Sequence, residues 1–268
     1  MPKKTVLITG SSKGIGKATA ELFSKKGWNV AATMRDPGKY AVPGCLCLEL
    51  DVTKPDTIKK ALKETLERFG SIDVAVNNAG YGAVGPFETS SREQIMRQFE
   101  TNLFGLMEVT KNVLPHFRDK RDGMIINVTS VAGRMSFPLY SLYNSTKWAV
   151  EGFSEALRFE LEPFNIKIKI IEPALIKTEF GGSSADVISA GGIKEYEDFV
   201  RSVAPWTNGK IKLGHSPEKV AGTIYRAATD GSNKFRYPSG EDGRFLLFIR
   251  RFIPDSWLFA GIKKAVIK

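Results

Sequence analysis

The sequence predicts an α/β protein built on one doubly wound parallel sheet with helices on both faces. Three observations carry this. Short apolar, β-branched runs alternate along the chain with longer amphipathic segments, the pattern of strand–helix–strand units. The runs are continuously apolar, as expected where both faces of a parallel sheet are covered. No internal repeat and no linker-like stretch divides the 268 residues, a length that one α/β sheet accommodates and that can bury a large core. Residues 1–268 are therefore expected to form a single domain.

Lys4–Thr9 is the first buried strand, running into Gly10-Ser-Ser12-Lys13-Gly14-Ile15-Gly16, and an amphipathic helix follows to about Lys26. Glycines there let the backbone turn sharply and approach a pyrophosphate, while the helix N-terminus supplies N–H groups and a positive dipole. The spacing is Gly-x3-Gly-x-Gly rather than the common Gly-x-Gly-x-x-Gly. The second strand, Val30–Met34, ends at Arg35-Asp36-Pro37. Asp36 falls where a ribose-binding acid is sought, about 20 residues beyond the glycine loop. Arg35 leaves the strand first, however, and Lys13 lies in the loop. Two cations beside the adenosine ribose suit a 2′-phosphate, so NADP(H) is favoured, with NAD(H) as the alternative.

Leu46–Leu50 reads as a strand delivering Asp51, whose carboxylate accepts an adenine amino group or caps a turn. Pro55–Phe69 is an amphipathic helix, and Val74–Val76 a short strand ending in Asn77-Asn78-Ala79-Gly80, small and polar enough for close approach of a ligand. Tyr81–Pro86 reads as a loop. Arg92–Phe117 is helical with a break near Asn102-Leu-Phe-Gly105, because an interior asparagine is unfavourable in a helix. Met124–Val128 and Ile166–Ile171 are further buried strands, the second ending in Glu172-Pro173-Ala174. Residues 175–213 have low periodicity and many Gly and Ser residues, and are expected to form a substrate lid. Ser216-Pro217-Glu218 starts a helix that runs to about Thr229. Residues 245–268 mix Phe, Leu, Ile and Trp257 with Arg250, Arg251, Lys263 and Lys264. They are expected to pack on the body as amphipathic helices, with a substrate flap or peripheral membrane contact as alternatives.

The net charge is +10, but the cations are scattered and no nucleic-acid-binding motif is present, so an anionic cofactor rather than nucleic acid is expected. No apolar run approaches the ~20 residues of a membrane span. The opening Met-Pro-Lys-Lys has no signal-peptide pattern, and a cytoplasmic location is expected. Cys45 and Cys47, separated by one residue, are read as reduced packing residues of a cytoplasmic protein rather than a disulfide or a metal pair, and no metal is expected.

The chemistry concentrates in Ser130–Lys147. Tyr143 and Lys147 stand one helical turn apart on one face. A phenol titrates near ~10, and an ammonium beside it favours the phenolate. Ser130 ends the strand before that helix, so hydroxyl, phenol and ammonium can meet at one end of the sheet.

Together, Thr9-Gly10-Ser-Ser-Lys-Gly14-Ile-Gly16, Asn77-Asn78-Ala79-Gly80, Ser130 and Tyr143-x-x-x-Lys147 resemble the short-chain dehydrogenase/reductase family over roughly residues 3–180. The resemblance implies a single Rossmann-like domain that passes a hydride between a nicotinamide and an alcohol or carbonyl group. It implies Tyr143 as general acid–base, Lys147 on the nicotinamide ribose and lowering the Tyr143 pKa, Ser130 on the substrate oxygen, and Asn102 holding a water in a proton relay. Gly10, Ser12, Lys13, Gly14, Ile15, Gly16, Arg35, Asp51, Val52, Asn78, Ala79, Gly80, Pro173, Ile176 and Thr178 would contact the cofactor, with Tyr143 and Lys147. Ala174 stands where the family usually has glycine. The 17β-hydroxysteroid and retinol dehydrogenases are the most similar subgroup. Tyr81, Phe87, Met135, Phe137, Leu139 and Tyr140 would line an apolar pocket for a small alcohol or carbonyl compound, and a homodimer or homotetramer is expected. A nucleotide-sugar epimerase and a non-catalytic NADP(H) sensor are the competing readings. The glycine spacing counts against the first, and the intact Ser130, Tyr143 and Lys147 against the second.

Overall fold

The computed structural model describes residues 3–177 and 185–267, with the side chains of residues 207–213 left aside. The chain begins β1 (Thr5–Ile8), α1 (Gly14–Lys25), β2 (Asn29–Met34), β3 (Leu46–Glu49), α2 (Pro55–Phe69), β4 (Val74–Asn77) and β5 (Gly82–Val84). It continues with α3 (Arg92–Phe99), a π-helical turn (Glu100–Phe104), α4 (Gly105–Lys120), β6 (Gly123–Val128), α5 (Ser141–Leu161), β7 (Ile166–Pro173) and β8 (Ala185–Val187). α6 (Lys194–Leu213), α7 (Pro217–Thr229), β9 (Arg236–Ser239), α8 (Glu241–Arg250) and α9 (Asp255–Val266) complete it.

Seven strands form one sheet in the order β3-β2-β1-β4-β6-β7-β9, every neighbouring pair parallel. The winding reverses between β1 and β4, so their carboxyl ends diverge around a crevice, the switch point where open α/β sheets bind ligands. Alternation within each strand feeds two apolar layers. Val6 and Ile8 face Phe23 of α1 and Ile224 of α7. Leu7 between them faces the layer of Ile58, Val109 and Leu157, from α2, α4 and α5.

Local chemistry sets the helix ends. α2 opens on Pro55 and Asp56 and stops at Gly70, whose φ of 78° serves as a left-handed cap. α3 carries a capping box between Ser91 and Gln94.

Four elements depart from the sequence reading. In the expected lid of residues 175–213, α6 fills the second half. Its stripe of Phe199, Val203 and Trp206 has helical spacing, with Val203 fully buried, and the preceding Gly and Ser residues hid it. Tyr81–Pro86 holds β5, which pairs in parallel with β8 in a two-stranded ribbon. β9 is a seventh strand unseen in the sequence, because Arg-Tyr-Pro-Ser has no β-branched run; pairing with β7 makes it one. The break at Asn102–Gly105 is a π turn inside a continuous helical segment. Residues 245–268 do form helices, but only Gly243 of α8 and Val266 of α9 are buried.

Candidate active site

The glycine turn is built by the strand ends it touches. Gly10 and Gly14 have φ of 70° and 56°, which side-chain-bearing residues avoid. A Cβ on Gly10 would stand 2.9 Å from Ala79 Cα, and one on Gly16 2.2 Å from the Gly10 carbonyl oxygen. Thr9 fastens the turn to the segment after β4, its hydroxyl oxygen accepting from the N–H groups of Asn78 and Ala79, both at 3.0 Å. The Asn78 amide donates to the carbonyls of Thr9 at 2.9 Å and Gly10 at 3.2 Å. α1 starts at Gly14 with no side-chain cap and no acid in its first turn, so its first N–H groups suit an anion.

This turn forms one end of a cleft of about 1600 Å³. Gly10, Ser12, Lys13, Gly14 and Ile15 line that end, Asn78, Ala79 and Gly80 the floor, and Pro173 and Ile176 the far wall. Arg35, Asp51 and Val52 line the side below β2 and β3. Arg35 is exposed, with no carboxylate in ion-pair reach among the described residues. Asp36 instead accepts the Lys39 N–H at 3.2 Å and closes a turn. Asp51 caps its own turn through the Thr53 N–H at 3.0 Å and hydroxyl at 2.8 Å. Gly16 does not reach the cleft; its role is to pack against Gly10. Thr178 lies outside the described residues.

At the other end, Ser130 leaves β6 and caps a short 3₁₀ turn, its Oγ accepting from the Ala132 N–H at 3.1 Å. The Ser130 hydroxyl also hydrogen-bonds the Tyr143 phenol. Tyr143 and Lys147 stand on the first turns of α5, with Lys147 Nζ 5.7 Å from the Tyr143 ring centroid. Lys147 Nζ donates to the Val128 carbonyl at 2.9 Å. Burial pushes the Tyr143 pKa above that of a free phenol, and the Ser130 bond draws it back. The expected lowering by Lys147 therefore does not govern the phenol here, because the ammonium is held by the end of β6. Burial also lowers the Lys147 pKa to about 8, against the pull of the Glu151 carboxylate.

Asn102 is buried in the π turn and lines no part of the cleft. Its amide brackets the Tyr81 backbone, Nδ2 donating to the carbonyl at 2.8 Å and Oδ1 accepting from the N–H at 3.0 Å. The side-chain carbonyl is thus engaged by protein rather than offered to water. Nδ2 also reaches the Thr146 hydroxyl at 3.3 Å, beside Lys147.

A buried ionic cluster lies behind the site, unforeseen in the sequence. Glu151 of α5 accepts from the Thr129 hydroxyl at 2.7 Å and from Arg236 at 3.0 Å. Glu172 lies 3.5 Å from Arg134 and 3.8 Å from Arg236, and burial lifts its pKa to about 7. The four residues come from separate segments, so no local motif marks them.

Tyr81, Met135, Phe137 and Tyr140 line the cleft as expected. Phe87 is 59 % exposed and away from it, and Leu139 is outside the lining. Trp206, Phe245, Leu246, Ile262 and Val266 complete the apolar wall, and Trp206 stacks on Phe137 at 5.7 Å. The helical spacing of Trp206 with Val203 was the one available signal for any of these. The Ala174 methyl faces Gly243, where a Cβ would stand 2.9 Å from it, so a glycine on α8 makes room for the departure from the family pattern. Among the described residues no His, Cys, Asp or Glu cluster could hold a metal ion.

The short chain dehydrogenase family profile matches residues 4–187. An uncharacterized oxidoreductase of Schizosaccharomyces pombe is 39 % identical over 86 % of this chain and 98 % of its own length. A 3-ketodihydrosphingosine reductase of Bacteroides thetaiotaomicron is 34 % identical over 90 % of this chain and 89 % of its own. The solved structure of ElxO with NADP bound superposes with a TM-score of 0.73 at 27 % identity, covering 91 % of this chain and 99 % of that one. A glycine turn at one end of the cleft, the Ser130–Tyr143–Lys147 group at the other and this breadth of similarity agree: the chain is an oxidoreductase and belongs to the short-chain dehydrogenase family.

Proposed function

We propose that the protein is an NADP(H)-dependent oxidoreductase acting on the alcohol or carbonyl group of an apolar small molecule, with Tyr143 as general acid–base. The observation that carries it is the single cleft. One end offers a tight glycine turn and an uncapped helix N-terminus, and the other brings a half-buried hydroxyl after β6 to a buried phenol and ammonium on α5. The fit to a dinucleotide is supported by that donor set and by a volume above the ~300–1,000 Å³ of ordinary ligand sites. Arg35, exposed at the end of β2, would meet a ribose 2′-phosphate, and Lys147 the nicotinamide ribose. The ElxO structure with NADP bound supports this cofactor, and the relative named a 3-ketodihydrosphingosine reductase supports a carbonyl substrate.

The bound cofactor would supply or take the hydride. Ser130 and Tyr143 together hold the substrate oxygen, and Tyr143 gives it a proton as the carbonyl carbon is reduced, or takes one in reverse. A phenol kept neutral by burial is ready as the acid. Lys147, one turn away, stabilises the phenolate left behind. Asn102 keeps Tyr81 in the cleft wall. Phe104, Trp148 and Phe159 expose apolar surface on the helices around the site, which supports a homodimer or homotetramer assembled there.

The test is loss of NADPH absorbance with a panel of ketones and aldehydes. Turnover with apolar carbonyls is expected, and no turnover with any would contradict the proposal. Arg35→Asp should weaken NADPH binding tenfold or more, about the weight of one charge-assisted contact, while leaving NADH binding little changed. Equal losses would remove the 2′-phosphate contact.

A further inference from the structure

The two faces of α8 and α9 have different characters. Phe245, Leu246, Ile262 and Val266 line the cleft that holds Tyr143. Outward, Phe248 and Phe252 stand one helical turn apart and are 65 and 66 % exposed. The Phe248 and Phe252 rings meet edge to face at 5.1 Å, making a continuous apolar ridge. α9 adds Trp257 and Phe259, 74 and 58 % exposed.

Charge on these helices is one-sided. Glu241, Asp242 and Asp255 are taken by Lys219, His215 and Arg250. Arg244, Arg251, Lys263 and Lys264 are exposed, with no carboxylate in ion-pair reach among the described residues. The surface is therefore aromatic and cationic, as in interfacial helices. Neither helix is long and apolar enough to cross a membrane.

We propose that α8 and α9 seat the mouth of the cleft on an anionic bilayer surface, so that the substrate is a membrane-partitioning carbonyl or alcohol that reaches Tyr143 along an apolar wall. The aromatic ridge fits the headgroup boundary, and the four cations fit anionic lipid at close range. A two-fold contact with a second copy would set these cations against themselves. The substrate class rests on the oxidoreductase reading above; the docking does not.

The test is co-sedimentation of the full chain with vesicles of phosphatidylcholine alone or mixed with phosphatidylserine, at low and raised salt. Binding to the mixed vesicles, reversed by salt and much weaker on phosphatidylcholine, is expected. The triple variant Phe248→Ser, Phe252→Ser, Trp257→Ser should bind at least tenfold more weakly. So should Arg251→Gln, Lys263→Gln, Lys264→Gln, at roughly fivefold per cation. Both should reduce a small water-soluble ketone as the parent does, with KM raised only for a long-chain ketone carried in vesicles. A parent chain that stays in the supernatant with both vesicles, or variants that bind as the parent does, would overturn the proposal. So would a dimer that the aromatic variant dissociates without lipid, since the ridge would then belong to a second copy. Vesicle binding without reduction of any carbonyl would reject the oxidoreductase reading and, with it, the substrate class alone.

Discussion

Lys147 is buried with its Nζ on the Val128 carbonyl, and its charge is set by that burial and by the Glu151 carboxylate one turn on. Burial brings its pKa to about 8, while Glu151 pushes the other way. The ammonium should therefore lose its proton as pH rises through about 8, and NADPH affinity should fall over the same range. Glu151→Gln removes the carboxylate, so the loss should begin at lower pH. Fluorescence titration of NADPH against pH reads this directly, and identical profiles for parent and variant would separate Glu151 from Lys147. Ser130, Tyr143 and Lys147 were legible in the sequence because their spacing is local to one strand–turn–helix passage. Glu151, Glu172 and Arg236 were not, because they meet only once α5, β7 and β9 come together. Nor could the sequence tell that both ends of the Asn102 amide bind the Tyr81 backbone.

Elements differ in how they earn their stability. The π turn exists around a side chain: Asn102 satisfies both polar groups of the Tyr81 backbone while fully buried. Asn102→Ala leaves that N–H and C=O unpaired and should cost ~2–4 kcal/mol, read as a lowered midpoint in denaturant unfolding. A change below ~1 kcal/mol would mean that water replaces the bracket. The β-branched strands and α2 announce themselves through propensity, period and caps. β9 does not, since Pro238 and Arg236 are poor strand residues in isolation, and its strand character comes from β7. α6 was obscured by the glycine-rich segment ahead of it, although its own apolar stripe is regular.

At the scale of the whole molecule, the sheet gathers both ends of the cleft and the ionic cluster behind it. Glu172 is held by Arg134 from the 3₁₀ turn and Arg236 from β9, with Glu151 of α5 as a repelling neighbour. Its folded pKa of about 7 lies above a free glutamate's 4.5, so the folded chain binds the extra proton between those values. This residue's contribution to stability is therefore present at low pH and lost as pH rises from about 4.5 to 7, by up to ~3 kcal/mol. Glu172→Gln should flatten that slope in chemical denaturation across the window, and an unchanged slope would place the titration elsewhere. The sheet's class followed from the alternating pattern, whereas the cleft's apolar wall depended on α6, α8 and α9, whose packing no short motif records. The central claim is that the two ends of one cleft act together, with Tyr143 supplying the proton. It is tested most directly by Tyr143→Phe, following NADPH oxidation with a reducible ketone and NADPH affinity on the same sample. Turnover lowered by a thousandfold or more with affinity within about twofold is the predicted result; turnover near that of the parent would contradict the account.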